Sequence, residues 1–150
     1  RFNFASTIRK WIDDDYLVIT DRYVYSNIGF QCAKTNSEKD AEDLFNWILE
    51  TEYNYFKIPK PDLSIFLDVP FSFTKQKLTS DRVGESREYL QGKQDIHEAD
   101  LDFQLKVKKS YIKAIERDDS FISLKCHQNN QIFKPSYISS LIIDIIKHLL

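Results

Sequence analysis

Methionine is absent from the 150 residues, and the chain opens at Arg1 inside a helix-like pattern, which predicts that native residues precede it. Glycine is nearly absent, with 3 in the chain, so few positions have ready access to positive φ. The 2 cysteines, Cys32 and Cys126, are far apart and unpatterned, which excludes a disulfide framework and predicts free thiols in a reducing compartment, the cytoplasm. Cys126-His127 has no second Cys/His pair to complete a metal site. A net charge of -2 gives no basic footprint for nucleic acid. Neither a signal peptide nor a long hydrophobic run is visible. The most apolar tract, Ile138 to Leu150, is too short to span a bilayer, carries Asp144 and Lys147, and reads as a terminal core helix. No repeat and no low-complexity tract occurs.

What remains is a chain with enough apolar side chains for one core, 42% of the total, and an aromatic share of 14% that argues against disorder. Residues 2–12 place Phe4, Ile8, Trp11 and Ile12 at helical spacing. After the polar Asp13-Asp14-Asp15, the run Tyr16 to Ile19 predicts a buried parallel strand over 16–20. Tyr25 to Lys34 predicts a short helix with Ser26 near its start. Ser37 is placed to cap a longer helix over 38–56. Its stripe takes in Ala41, Leu44, Phe45, Ile48, Leu49 and Tyr55, while Trp47, Tyr53 and Phe56 lie partly off it and ask for a second partner, a dimer surface or further packing within the chain. Pro59 and Pro61 stop that helix, and a second short strand follows over 63–67, closed by Asp68-Val69-Pro70. Residues 71–79 and 99–117 read as helices, 121–124 as a third strand and 136–149 as a last helix behind Pro135. Between them, Ser80 to Glu98 is charged and poor in apolar residues, the composition of a lid. The alternation predicts an α/β protein with a mainly parallel sheet.

The chemistry-bearing stretch is Asp21-Arg22-Tyr23, at the carboxyl end of the first predicted strand. Ligands of open α/β sheets bind at that edge. A carboxylate there suits Mg²⁺ or its waters, and a guanidinium there suits phosphate through two hydrogen bonds. The plainer account is a surface ion pair. The lid stretch carries Arg82, Arg87 and Lys93, the make-up of a lid that closes over phosphates, although most charged loops are only solvated.

The residues that follow are more specific. Asp-Arg-Tyr-Val-x-Ser-Asn-x-x-Phe-Gln-x-Ala-Lys, from Asp21 to Lys34, resembles the signature of thymidylate kinases. Pro61 to Pro70 resembles the Pro-Asp-Leu-Thr-x-x-Leu-Asp-Val strand of that family, and Arg87 to Glu98 resembles the lid of some bacterial members. Arg1-Phe2 is similar to the Arg-Trp that opens a family helix ahead of the turn. The resemblance covers nearly the whole chain and implies a single domain over 1–150 with a lid over about 80–98. The implied architecture is a three-layer α/β/α P-loop nucleotide-kinase fold, incomplete at the N-terminus.

The resemblance also implies an activity, transfer of the γ-phosphate of ATP to dTMP with Mg²⁺ to give dTDP for dTTP biosynthesis, by a homodimer. Arg22 would hold the dTMP phosphate, and Asp21 would sit near Mg²⁺ through water. Arg1 would reach thymine. Ser26, Asn27 and Phe30, with Gln31, would line the nucleoside pocket. Gln104 matches a position that helps hold the nucleotide, and Tyr89 matches a lid tyrosine in one of several alignments. Arg82 or Arg87 would neutralise the transferring phosphoryl group with the lid closed. Cys32 departs from the glycine often found there, which predicts a crowded pocket. No Gly-x-x-x-x-Gly-Lys-Ser/Thr occurs, so the cradle for the ATP phosphates is not among these residues, and the segment alone is expected to be inactive. Two other readings stay open at this point. One is a related deoxynucleoside or nucleotide kinase, although deoxynucleoside kinases typically carry Glu-Arg-Ser where this chain has Asp21-Arg22-Tyr23. The other is a non-catalytic domain that keeps the fold for nucleotide binding or dimerisation.

Overall fold

The computed structural model describes residues 2–79 and 101–149. A 3-10 turn, Phe2–Phe4, leads into α1, Ala5–Asp13. α1 ends in a Schellman arrangement, in which the Tyr16 amide donates to Trp11 O at 2.9 Å and the Asp15 amide to Ile12 O at 3.0 Å. Asp15 takes the left-handed conformation, φ 60, that glycine usually supplies there. The Arg9 guanidinium donates to the Lys57 carbonyl and ties α1 to a distant loop.

The strand expected at 16–20 does not form. A strand exists through its ladder, and among the described residues none pairs with this run. Apart from the half-buried Val18, its side chains are open to solvent: Tyr16 is 65% exposed and Ile19 79%. The expected stripe of α1 is open too, with Phe4, Trp11 and Ile12 exposed and Ala5 buried.

α2 runs over Val24–Cys32, and α3 over Glu38–Leu49 continues as a π-helix, Glu50–Tyr55. The Ser37 hydroxyl accepts from the Asp40 amide at 3.0 Å and caps α3 as expected. Tyr53 and Phe56 pack against the core, whereas Trp47 and Tyr55 stay exposed. The second partner is therefore intramolecular for the first two side chains only, and Tyr55 does not belong to the buried stripe.

β1, Ser64–Asp68, pairs in parallel with β2, Phe121–Lys125, from Ser64 opposite Phe121 to Asp68 opposite Lys125. Between them come α4, Phe71–Thr79, and α5, Leu101–Ile115. The described parallel sheet thus has two strands rather than three, in a mixed α/β arrangement. Phe66 and Phe121 lie on one face of it. Tyr111 of α5 stacks on Phe66 with ring centroids 4.9 Å apart, and Tyr25 of α2 stacks on Phe121 at 4.2 Å. The main core gathers Val24, Tyr25, Ile28 and Cys32 of α2 with Phe45 and Ile48 of α3, Ile58, Ala114 and Phe121. Gly29 lets α2 come close to α5, since a Cβ there would lie 2.9 Å from the Tyr111 ring.

Beyond β2, two-residue strands β3, His127–Gln128, and β4, Gln131–Ile132, form a hairpin. Asn129 and Asn130 carry its turn with φ 48 and 62, the double left-handed turn that suits the twist of a hairpin. α6, Pro135–Ile146, starts with proline in its first turn but buries no residue, so it is not the core helix that its composition suggests. Among the described residues, no helix is long and apolar enough to cross a membrane.

Candidate functional site

A cavity of about 210 Å³ opens at the carboxyl end of β1. Its floor is Phe66, Leu67 and Val69 from β1 and the segment after it, with Phe71 and Thr74 from α4. α5 contributes Gln104, Val107, Lys108 and Tyr111, spaced so that they fall on one helix face. Arg22 and Phe30 close it from the turn before α2 and from α2 itself. The parallel pairing of β1 and β2 carries α5 back over the sheet and brings this face of α5 beside α2.

Arg22 has φ 64, a left-handed conformation that costs a non-glycine residue on the order of 1–3 kcal/mol. In that conformation its Cζ stands 5.3 Å from the centroid of the Phe30 ring, a cation–π contact. Phe30 is half-buried and meets Phe103 edge-on at 6.1 Å. Arg22 is exposed as a residue, with its guanidinium set over the Phe30 ring.

Of the residues expected at a site, Arg22, Phe30 and Gln104 line this cavity, and Asp21, Ser26, Asn27 and Gln31 do not. Ser26 and Asn27 are half-buried on α2, and Asp21 and Gln31 are exposed. Arg1, Arg82, Arg87, Tyr89 and the lid over about 80–98 lie outside the described residues. Cys32 is buried against α3, with Sγ 3.4 Å from Ala41 O, and does not line the cavity. It therefore does not crowd the cavity as its departure from glycine suggests. Burial pushes its thiol up, which keeps it unreactive at neutral pH.

The other eight lining residues escape a reading of the sequence for the site, Phe66, Lys108 and Tyr111 among them. The spacing from Gln104 held the signal for two of them, because Lys108 and Tyr111 follow it by four and seven residues on one helix face. Lys108 Nζ is 2.5 Å from Asp68 Oδ1 at the end of β1.

Aromatic walls, an arginine and a lysine at the carboxyl edge of a parallel sheet mark an α/β protein with a cavity whose chemistry suits an anionic ligand with an apolar body. The residues themselves narrow the class. The family model described as Thymidylate kinase matches residues 1–134, and the chain belongs to that family. Thymidylate kinases are nucleoside monophosphate kinases, and membership supports phosphorylation of dTMP as the activity.

Proposed function

We propose that the cavity receives the acceptor nucleotide, dTMP, for phosphorylation by ATP to dTDP. The observation that carries this reading is the convergence of Arg22, Phe30 and Gln104 on one cavity. Its volume, about 210 Å³, is below the roughly 300–1,000 Å³ of most small-molecule pockets, so it houses part of the nucleotide. Arg22 grips two phosphate oxygens through its planar fork. Phe30 and Gln104 face the nucleoside, with Ser26, Asn27 and Gln31 along α2. Arg1 reaches the base, Tyr89 closes from the lid, and Arg82 and Arg87 neutralise the group in flight. Residues 1–150 make up the mid-section to the C-terminus of one kinase domain, with its lid over about 80–98, and lack the cradle for the ATP phosphates.

The transfer is direct. A dTMP phosphate oxygen bonds to the γ-phosphorus while the bond from that phosphorus to the bridging oxygen of ADP breaks, and no enzyme–phosphate bond forms. Positioning and charge provide the catalysis. Asp21 is a single exposed carboxylate, and no cluster of three or more His, Cys, Asp or Glu suited to a metal occurs among the described residues. That fits Mg²⁺, which keeps several waters and takes one or two carboxylates with substrate phosphates, so Asp21 would hold it through water. The chemistry the ion supplies when bound is neutralisation of charge on the phosphate oxygens.

Trp47 at 62% exposure and Tyr55 at 79% support a homodimer surface on α3 and its π-helical extension. Two buried free thiols support a reducing location, the cytoplasm. Sedimentation tests the dimer: Trp47→Lys should yield monomer, and an unchanged oligomer removes this surface. Calorimetric titration tests the site. Arg22→Lys should weaken dTMP binding at least about tenfold, since one ammonium cannot replace the fork. Undiminished affinity would take Arg22 out of the phosphate site.

A further inference from the structure

Among the described residues, the charged side chains that line the cavity are Arg22 and Lys108, and no carboxylate lines it. Arg22 enters from the turn before α2, and Lys108 from α5, one helical turn beyond Gln104. The Lys108 ammonium is held in place by Asp68, whose Oδ1 lies 2.5 Å from Nζ. Asp68 is itself anchored: its backbone carbonyl accepts the Cys126 amide at 2.9 Å, and its second carboxylate oxygen lies 4.0 Å from His127 Nε2. Both side chains of the pair are partly buried, Lys108 at 33% exposure and Asp68 at 26%. An ammonium carries three donors, and the single bond to Asp68 leaves donors for a ligand at the cavity wall.

We infer that Lys108 is a second binding residue for the acceptor phosphate and that Asp68 positions it. The inference rests on reading the cavity as the acceptor site. A nucleoside monophosphate carries close to two negative charges at neutral pH. Arg22 matches two of its oxygens with a fork, and Lys108 offers a point charge to the third. Asp68 offsets one of the two cations before the ligand arrives, which limits their mutual repulsion, and it holds a flexible side chain in the rotamer that binding needs. Lys108 thereby contributes to the preference for a nucleotide over its nucleoside.

The test is calorimetric titration of dTMP and of thymidine into the chain and its variants. Lys108→Met should weaken dTMP about tenfold and leave thymidine unchanged, and Lys108→Arg should recover most of the loss. Asp68→Asn should weaken dTMP by a smaller factor, again without effect on thymidine. Tighter dTMP binding in Asp68→Asn would mean that Asp68 competes with phosphate, which overturns its positioning role. Lys108→Met leaves a partly buried carboxylate unpaired, so the double variant Lys108→Met/Asp68→Asn carries the test if the single one does not fold, and the same loss of preference is expected. Equal weakening of both ligands, or undiminished dTMP affinity, overturns the role of Lys108. A wild-type chain that fails to prefer dTMP to thymidine refutes the acceptor-site reading itself. A wild-type preference that survives intact in Lys108→Met refutes Lys108 alone.

Discussion

Tyr16–Thr20 and Ser64–Asp68 are short apolar runs of similar make-up that each lead to an acid, yet they end in opposite surroundings. Ser64–Asp68 is laddered to Phe121–Lys125, and its Phe66 ring is covered by Tyr111. Tyr16–Thr20 has no described strand beside it, and Ile19 is 79% exposed. The acids diverge in the same way. Asp68, at the end of β1, accepts from Lys108 Nζ at 2.5 Å, and Asp118, just before the paired strand β2, accepts bonds from the Tyr25 hydroxyl, the Ser120 hydroxyl and amide, and Lys60, while Asp21 after the exposed run is open to solvent. An apolar run becomes a strand through what lies beside it and over it. Its own side chains supply only the opportunity.

The contrast breaks or holds first on core deletion. Phe121 is 3% exposed and stacked on Tyr25. Phe121→Ala should cost about 3–5 kcal/mol in urea unfolding. Ile19→Ala should stay within about 0.5 kcal/mol of the wild type. A cost above about 2 kcal/mol at Ile19 would show that the run is covered in solution, by another segment or by a second copy, and the two runs would then be alike.

Asp118 sharpens the comparison next. Burial alone would raise its pKa, but the Ser120 and Tyr25 hydroxyls, the Ser120 amide and Lys60 hold the carboxyl well below the usual carboxylate range. A folded pKa below the unfolded one, about 3.9, gives stability that is complete above that value and is lost as pH falls towards the folded value. Asp118→Asn should therefore cost roughly 1.5–3 kcal/mol at pH 7, with the gap to wild type narrowing below about pH 4. A gap that stays constant from pH 7 to pH 3 would mean that the charge contributes nothing and that only packing is lost.

Much of the buried half was legible because its signals are local. Ser37 caps a helix through its own hydroxyl, and Pro135 opens one by lacking an amide hydrogen. The strands expected at 63–67 and 121–124 are read from composition and flanking turns, and they form over 64–68 and 121–125. The openness of the 16–20 run, of the α1 stripe and of α6 was not legible, since exposure is set by neighbours distant in the chain. The turn at Asn129-Asn130 lacks the Asn-Gly pair that usually announces it. At the site, Arg22 and Phe30 sit within one signature segment. Phe66 and Lys108 reach them only through the parallel crossover, which no local pattern specifies.

Gly29 probes how closely the buried half is packed. Gly29→Ala places a methyl 2.9 Å from the Tyr111 ring, which is held by Phe66 and Phe121 and has little room to turn. The cost should be about 1–2 kcal/mol, in the lower part of the range for overpacking. Combining it with Tyr111→Leu, which removes the obstructing ring, should cost less than the sum of the two single changes. Strict additivity would show that α2 and α5 relax apart without resistance.

The smallest effect separates local from tertiary support within that same half. α3 buries Phe45 and Ile48, and its N-terminus is also closed by Ser37, which accepts from the Asp40 amide and donates to the Asp40 carboxylate at 2.7 Å. α1, on the open side, has no side-chain cap at Phe4. Ser37→Ala should cost about 1 kcal/mol, whereas Ser37→Gly should cost only a few tenths, because glycine lets water reach the free amides. If packing alone fixed the first turn, the two variants would unfold at the same denaturant concentration as wild type. A difference between Ala and Gly, with amide exchange accelerated at Lys39 and Asp40 and not at Ile48, would assign that turn to the hydroxyl and the rest of the helix to the core.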